Sequence, residues 1–175
     1  MEECKDFHPI TPSELSSTFP MIGEDFMLIS AHGKDEAGRE VTNGMTASWG
    51  GMGILWGKPV AFCFIRPQRY TRELVDSAAR LSLAFFGGAY KDALRLCGTK
   101  SGRETDKLAA AGLHTETLCG VPLIREATCN LVCRVLYRGR LDEAGFLDTS
   151  LLSNYREKDY HLVYVCEIEQ ILKKD

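Results

Sequence analysis

The sequence predicts a mainly β fold with short helices, in which an antiparallel sheet closes on itself. Three observations predict it. Strand-length apolar or alternating runs recur at Phe26–Ala31, Val41–Trp49, Val60–Ile65, Leu81–Phe86, Pro122–Tyr137 and Tyr160–Ile168. Turns or single short helices separate them, without the regular alternation with long helices that a doubly wound parallel sheet needs. Composition is ordinary for a globular chain, at 45% hydrophobic and 26% charged residues. A chain of 175 residues suits one domain and buries roughly 70% of its unfolded surface without disulfide staples. With no internal repeat or low-complexity linker, residues 1–175 read as one domain, and 1–25, with three prolines and mixed polar residues, as its N-terminal lead-in.

Each element has its own signal. Phe26–Ala31 is a strand, and His32–Glu40 a charged turn region containing glycine. Val41–Trp49 is a second strand, with Thr46 and Ser48 on one face and Met45, Ala47 and Trp49 on the other. Gly50-Gly51-Met52-Gly53 reads as a flexible connection, and Lys58-Pro59 introduces Val60–Ile65, an apolar strand buried on both faces. Thr71 is the predicted N-cap of a helix over Arg72–Arg80, with Leu74, Val75 and Ala78 inward. Gly87-Gly88 ends the next strand, and Tyr90–Cys97 and Glu104–Ala111 read as short helices. Pro122–Tyr137 reads as one long strand, Asp142–Gly145 as a turn, and residues 169–175 as a polar tail after the last strand.

Charge and cysteine usage exclude several classes. Twenty-one Lys plus Arg against 24 Asp plus Glu give a net charge of -3, with no global basic footprint for nucleic acid. No apolar run approaches the ~18 residues of a membrane helix. Met1–Asp6 is acidic and lacks the apolar stretch of a secretory signal. The seven cysteines contain no Cys-x-x-Cys pair, the nearest being Cys129 and Cys133. Reduced thiols in a cytoplasmic protein are the expectation, with Cys63, Cys133 and Cys166 as small core residues. The four histidines do not pair at metal-ligand spacing, and no Gly-x-Ser-x-Gly elbow is present.

Four segments carry candidate chemistry. In Asn43-Gly44-Met45-Thr46-Ala47-Ser48-Trp49, two hydroxyls can grip a polar ligand edge, helped by free backbone N–H groups if the strand lies at a sheet edge. Taken alone, the segment is better read as a solvated strand face. Arg66-Pro67-Gln68-Arg69-Tyr70-Thr71 lies between a buried strand and a predicted helix N-terminus. Two guanidinium groups, a hydroxyl and the positive end of a helix dipole there favour an anionic phosphate over an ordinary charged loop. Thr99-Lys100-Ser101-Gly102-Arg103, followed by Asp106-Lys107, also precedes a helix. It lacks the glycine spacing of a nucleotide-binding P-loop, so it offers only an anion contact, balanced against a solvated helix start. Lys158-Asp159-Tyr160-His161 places a lone histidine at the start of the last strand, where a structural role is the commoner one.

Together with Lys58-Pro59 and Glu167-Ile168, the order and spacing of these motifs resemble the flavin reductase-like, FMN-binding split-barrel family, in its flavoredoxin-like branch, from about Phe26 to Ile168. The resemblance implies a six-stranded or similar antiparallel split β-barrel, usually a homodimer with FMN near the subunit interface. It maps the strand beside the isoalloxazine onto Thr46, Ala47, Ser48 and Trp49, and the phosphate turn onto Arg66, Arg69, Tyr70 and Thr71. Lys100 and Ser101 are secondary candidates for the phosphate or ribityl end. His161 and Glu167-Ile168 match the spacing of a Gly-Asp-His stretch near the nicotinamide site and its Gly-Glu-Val-like continuation. Tyr160 stands in place of that Asp and Cys166 in place of the later Gly. The implied activity is that of an FMN-dependent oxidoreductase using NADH or NADPH, with His161 as its catalytic candidate, no metal, and no nucleic-acid or membrane partner. The alternatives are a flavoredoxin-like electron carrier reduced by a redox protein partner, and a non-enzymatic flavin-binding or sensor barrel.

Overall fold

The computed structural model describes residues 18–174; the lead-in before Thr18 lies outside them. In chain order the elements are α1 (Thr18–Gly23), β1 (Met27–Lys34), β2 (Glu40–Ala47), β3 (Gly50–Leu55), β4 (Lys58–Ile65), α2 (Tyr70–Ala78), β5 (Arg80–Phe85), α3 (Lys91–Thr99), α4 (Lys107–Ala110), β6 (Thr115–Leu118), β7 (Val121–Ile124), β8 (Cys129–Arg140) and β9 (Leu162–Lys173). Two 3-10 turns, Glu143–Gly145 and Thr149–Tyr155, lie between β8 and β9.

Seven strands form one sheet in the order β2-β1-β5-β8-β9-β4-β3, and β6 and β7 form a separate hairpin. Every pair is antiparallel. The edge strands β2 and β3 are consecutive and joined only by Ser48 and Trp49, so the sheet curls until its edges meet at that corner. No ladder joins those two strands among the described residues, which makes the barrel a split one.

Inside the curl, Met27, Ile29, Ala61, Cys63, Ile65, Leu81, Leu83, Leu131, Cys133, Tyr164 and Cys166 pack with Leu74 and Val75 of α2. A second cluster on the outer face packs Leu28, Ala84 and Phe86 against Leu94, Cys97, Leu108 and Ile124. Strands β1 and β5 are covered on both faces, which is why they read as near-continuous apolar runs. Leu83 is 1% exposed. Leu83→Ala should lower the unfolding free energy by roughly 2–5 kcal/mol through lost transfer energy and the cavity left behind, read as a shifted urea midpoint.

The structure corrects four local expectations. Gly50–Gly53 belongs to strand β3. Its glycines serve close approach: a Cβ on Gly50 would lie 2.8 Å from the Phe62 carbonyl and 2.9 Å from Met27 Cε. Pro122–Tyr137 is two strands, because Asn130 exchanges hydrogen bonds of 3.0 Å with both the N–H and the C=O of Ile124, while Thr128 N–H and Oγ1 bond Phe85 O. The expected polar tail is the continuation of β9, whose Glu167 and Glu169 meet Arg134 of β8 and Lys58 or Arg80. Opposite charges across strands let a polar segment stay in the ladder. Finally, Arg69 is the N-cap of α2, without a side-chain cap, and Thr71 lies buried inside the first turn.

Candidate functional site

Two clefts open beside the barrel corner and share one side chain, Arg69. The first, about 210 Å³, is bounded by Met45–Trp49 from the end of β2 and its connector, Phe64 of β4, Arg66, Arg69 and His161. The second, about 150 Å³, is bounded by Gln68–Tyr70, by Gly98–Gly102 after α3, and by Lys107 of α4.

In the first cleft β2 is an edge strand, so one side of its backbone has no strand partner among the described residues. Thr46 donates its hydroxyl hydrogen to Leu94 O of α3, so its oxygen remains available only as an acceptor. Ser48 and Trp49 lie beyond the strand end rather than continuing its alternation. Trp49 is 46% exposed, and its ring sits 5.2 Å from the His161 imidazole at 52°. Phe64 meets the same imidazole edge-on at 6.4 Å, and Tyr155 places its hydroxyl oxygen 2.8 Å from His161 Nδ1. Burial, and then the charge of Arg66, push the His161 imidazole down to about 4, so it is neutral at physiological pH. Arg66 pairs with Asp159, donates to Asn154 O at 2.9 Å and lies 5.3 Å above the Tyr155 ring. Gln68 donates to the same Asp159 carboxylate at 2.8 Å.

The second cleft is built around two cations, Lys107, which is buried, and Arg69, which is partly buried. Arg69 donates to Gly98 O at 3.0 Å and Cys97 O at 3.3 Å. Lys107 Nζ donates to Cys97 O at 2.9 Å and Lys100 O at 3.2 Å. These carbonyls end α3, so the negative end of its dipole balances part of the charge. No carboxylate forms an ion pair with either cation among the described residues. Burial, with Arg69 nearby, pulls the Lys107 ammonium down to about 8. Burial also lowers the Arg69 guanidinium. The loop over this cleft is clamped twice. Arg103 pairs with Glu73 of α2, donates to Gln68 O at 3.3 Å and stacks 4.8 Å over Tyr70. Gly102 lies against the Asn43 amide, where a Cβ would come within 2.3 Å of Oδ1. That amide is held in turn, donating to Thr71 Oγ1 at 2.9 Å.

The site candidates therefore separate. Thr46, Ala47, Ser48, Trp49, Arg66 and His161 share the first cleft, while Lys100, Ser101 and Tyr70 share the second, with Arg69 in both. Arg66–Thr71 does not form one cup. Arg66 is committed to Asp159, Tyr70 donates its hydroxyl to Asp35 at 2.9 Å, and Thr71 lines neither cleft. Sequence reasoning assigns Lys107 no role of its own beyond its place in the Asp106-Lys107 pair. It names Gly102 only as part of the 99–103 segment and misses Phe64 and Tyr155, whose contributions come from tertiary placement alone.

A curled, split antiparallel sheet with an aromatic cleft leading into a cationic one defines a class of split-barrel proteins, and solved structures share that fold. A flavoredoxin from Methanosarcina acetivorans is similar over 86% of this chain and 69% of its own, at 23% identity and a TM-score of 0.61. The flavoredoxin of Desulfovibrio vulgaris (Miyazaki F) covers 100% and 78%, at 16% identity and 0.66. An NADH:FAD oxidoreductase from Streptomyces globisporus C-1027 covers 86% and 75%, at 13% identity and 0.63. No curated protein sequence matches the chain. The family model described as "Flavin reductase like domain" matches residues 7–174, and the chain belongs to that family.

Proposed function

We propose that the protein is an FMN-binding oxidoreductase reduced by NADH or NADPH, with the flavin ring in the first cleft and its phosphate in the second. The observation that carries this reading is the pair of clefts joined at Arg69, one walled by Trp49, Phe64 and His161, the other lined by a buried cation, Lys107, and a partly buried one, Arg69, without a carboxylate partner among the described residues. A planar heterocycle linked to a dianion by a short polar chain fits that combination, since guanidinium and ammonium donors suit phosphate oxygens. Arg69, Lys107 and the Lys100–Gly102 backbone would hold the phosphate, and the unpaired side of β2 with Ser48 would meet the polar ring edge. Bound FMN supplies the redox chemistry, taking hydride from the nicotinamide and passing electrons to an acceptor. The chain's residues bind, orient and exclude water, and neutral His161 offers a hydrogen bond rather than a charge.

The natural assembly under this reading is a homodimer in the cytoplasm. Ile54 (74% exposed) on the edge strand β3 and Trp56 (59%) in the turn that follows it provide apolar surface for a second copy. Among the described residues no helix is long and apolar enough to cross a membrane.

The test is anaerobic reduction of the FMN-loaded protein. Flavin bands that bleach with NADH or NADPH support the proposal and name the donor. Bands that persist with both would move the reading to an electron carrier reduced by a protein partner, and failure to take up FMN would leave a barrel without a flavin.

Lys107 adds a pH signature. Its free-state value is about 8, and a phosphate anion alongside raises it. The complex then binds more protons than the free protein from about pH 8 up to the raised value, so FMN affinity is greatest below pH 8 and falls through that window. Riboflavin, without the phosphate, should show no such fall. Equal pH profiles for the two flavins would remove Lys107 from the phosphate site.

A further inference from the structure

The 3-10 turn Thr149–Tyr155 sends one aromatic side chain behind His161. Tyr155 is buried, and its ring stands edge-on to the imidazole, with centroids 5.5 Å apart and planes at 82°. Arg66 fixes it from above, and the Tyr160 ring packs 5.0 Å away. The bond at 2.8 Å to His161 Nδ1 is the one hydrogen bond the Tyr155 hydroxyl makes among the described residues.

That arrangement decides where the imidazole hydrogen sits. A buried hydroxyl hydrogen without an acceptor is costly, and Nδ1 is the acceptor available to it. A neutral imidazole that accepts at Nδ1 carries its own hydrogen on Nε2. Among the described residues Nε2 has no hydrogen-bond partner and is not occluded, and His161 lines the first cleft. The Nε2–H therefore opens onto the cleft, close to Trp49.

We propose that Tyr155 is a positioning residue that fixes His161 as an Nε2–H donor, held ready for the carboxamide oxygen of the nicotinamide under the redox reading above. The tautomer rests on the protein alone; the carbonyl contact rests on that reading.

The test combines the tautomer with kinetics. Long-range 1H–15N NMR of the full-length protein, with and without FMN, should show His161 with a protonated Nε2 and a bare Nδ1. Tyr155→Phe keeps the ring beneath Arg66 and removes only the hydroxyl. A mixture of both tautomers is expected in it, with a KM for NADH or NADPH raised about two- to tenfold, the cost of misdirecting one neutral hydrogen bond. The FMN dissociation constant should stay unchanged. Tyr160→Phe, whose hydroxyl bonds Glu143 instead, should alter neither readout. A wild-type hydrogen on Nδ1 overturns the proposal without any need of the variant. So does a Tyr155→Phe protein with wild-type tautomer and KM. If neither nucleotide bleaches the wild-type flavin, the redox reading and the carbonyl recognition fall together, while the NMR result still decides the positioning role of Tyr155.

Discussion

Arg69→Ala should weaken FMN binding by about 10- to 150-fold, the equivalent of a charge-assisted hydrogen bond of about 1.5–3 kcal/mol. Arg69 is the one side chain bordering both clefts. Its removal takes a cation from the phosphate end and also leaves the Cys97 and Gly98 carbonyls, which it now satisfies, with fewer donors. Riboflavin separates these effects. If Arg69 acts through the phosphate, riboflavin affinity changes far less than FMN affinity, and the ratio of the two dissociation constants collapses. Parallel losses for both flavins would mean that the substitution merely disturbs the α3 end.

Gly102→Ala should be the most damaging single methyl group at the site. The new Cβ would fall within 2.3 Å of Asn43 Oδ1, and the amide cannot rotate away without losing its bond to Thr71. Overpacking of this kind costs about 1–3 kcal/mol in stability. The loop carrying Lys100 and Ser101 would also move off the cleft, lowering FMN affinity about tenfold for each 1.4 kcal/mol by which binding weakens. Asn43→Ala in the same chain frees the space. The double variant should recover part of the lost affinity, and the recovery measures the coupling. Additive losses would show that Gly102 and Asn43 do not hold the loop together.

The readability of this fold varied with the kind of signal involved. Strands β1, β4 and β5 were visible because their sequences are largely apolar, as strands packed against other elements require. Strand β3 was not, since Gly50-Gly51-Met52-Gly53 carries the same letters whether the backbone is free or pressed against Phe62. The C-terminal end of β9 was hidden for another reason: Glu169 looks like the start of a solvated tail until Arg80 and Arg134 are known to lie beside it.

At the site, residues near strand ends were legible by position. Thr46–Trp49, Arg66 and His161 come from three separate segments and meet in one cleft. Thr71 misled because a hydroxyl near a helix start is the ordinary signature of a cap, whereas here it accepts from Asn43 inside the first turn. Lys107 and Tyr155 could be given roles only once α4 and the Thr149–Tyr155 turn had brought them to Arg69 and His161. Burial without a carboxylate, which marks Lys107, has no counterpart in linear sequence.

A crystal structure of the protein with FMN bound would decide the two-cleft assignment. The phosphate is expected in the second cleft, within hydrogen-bond reach of Arg69 and Lys107 and of the Lys100–Gly102 segment, with the ring against Thr46–Trp49 in the first. A phosphate seated on Arg66 in the first cleft, or a flavin bound away from both clefts, would contradict it.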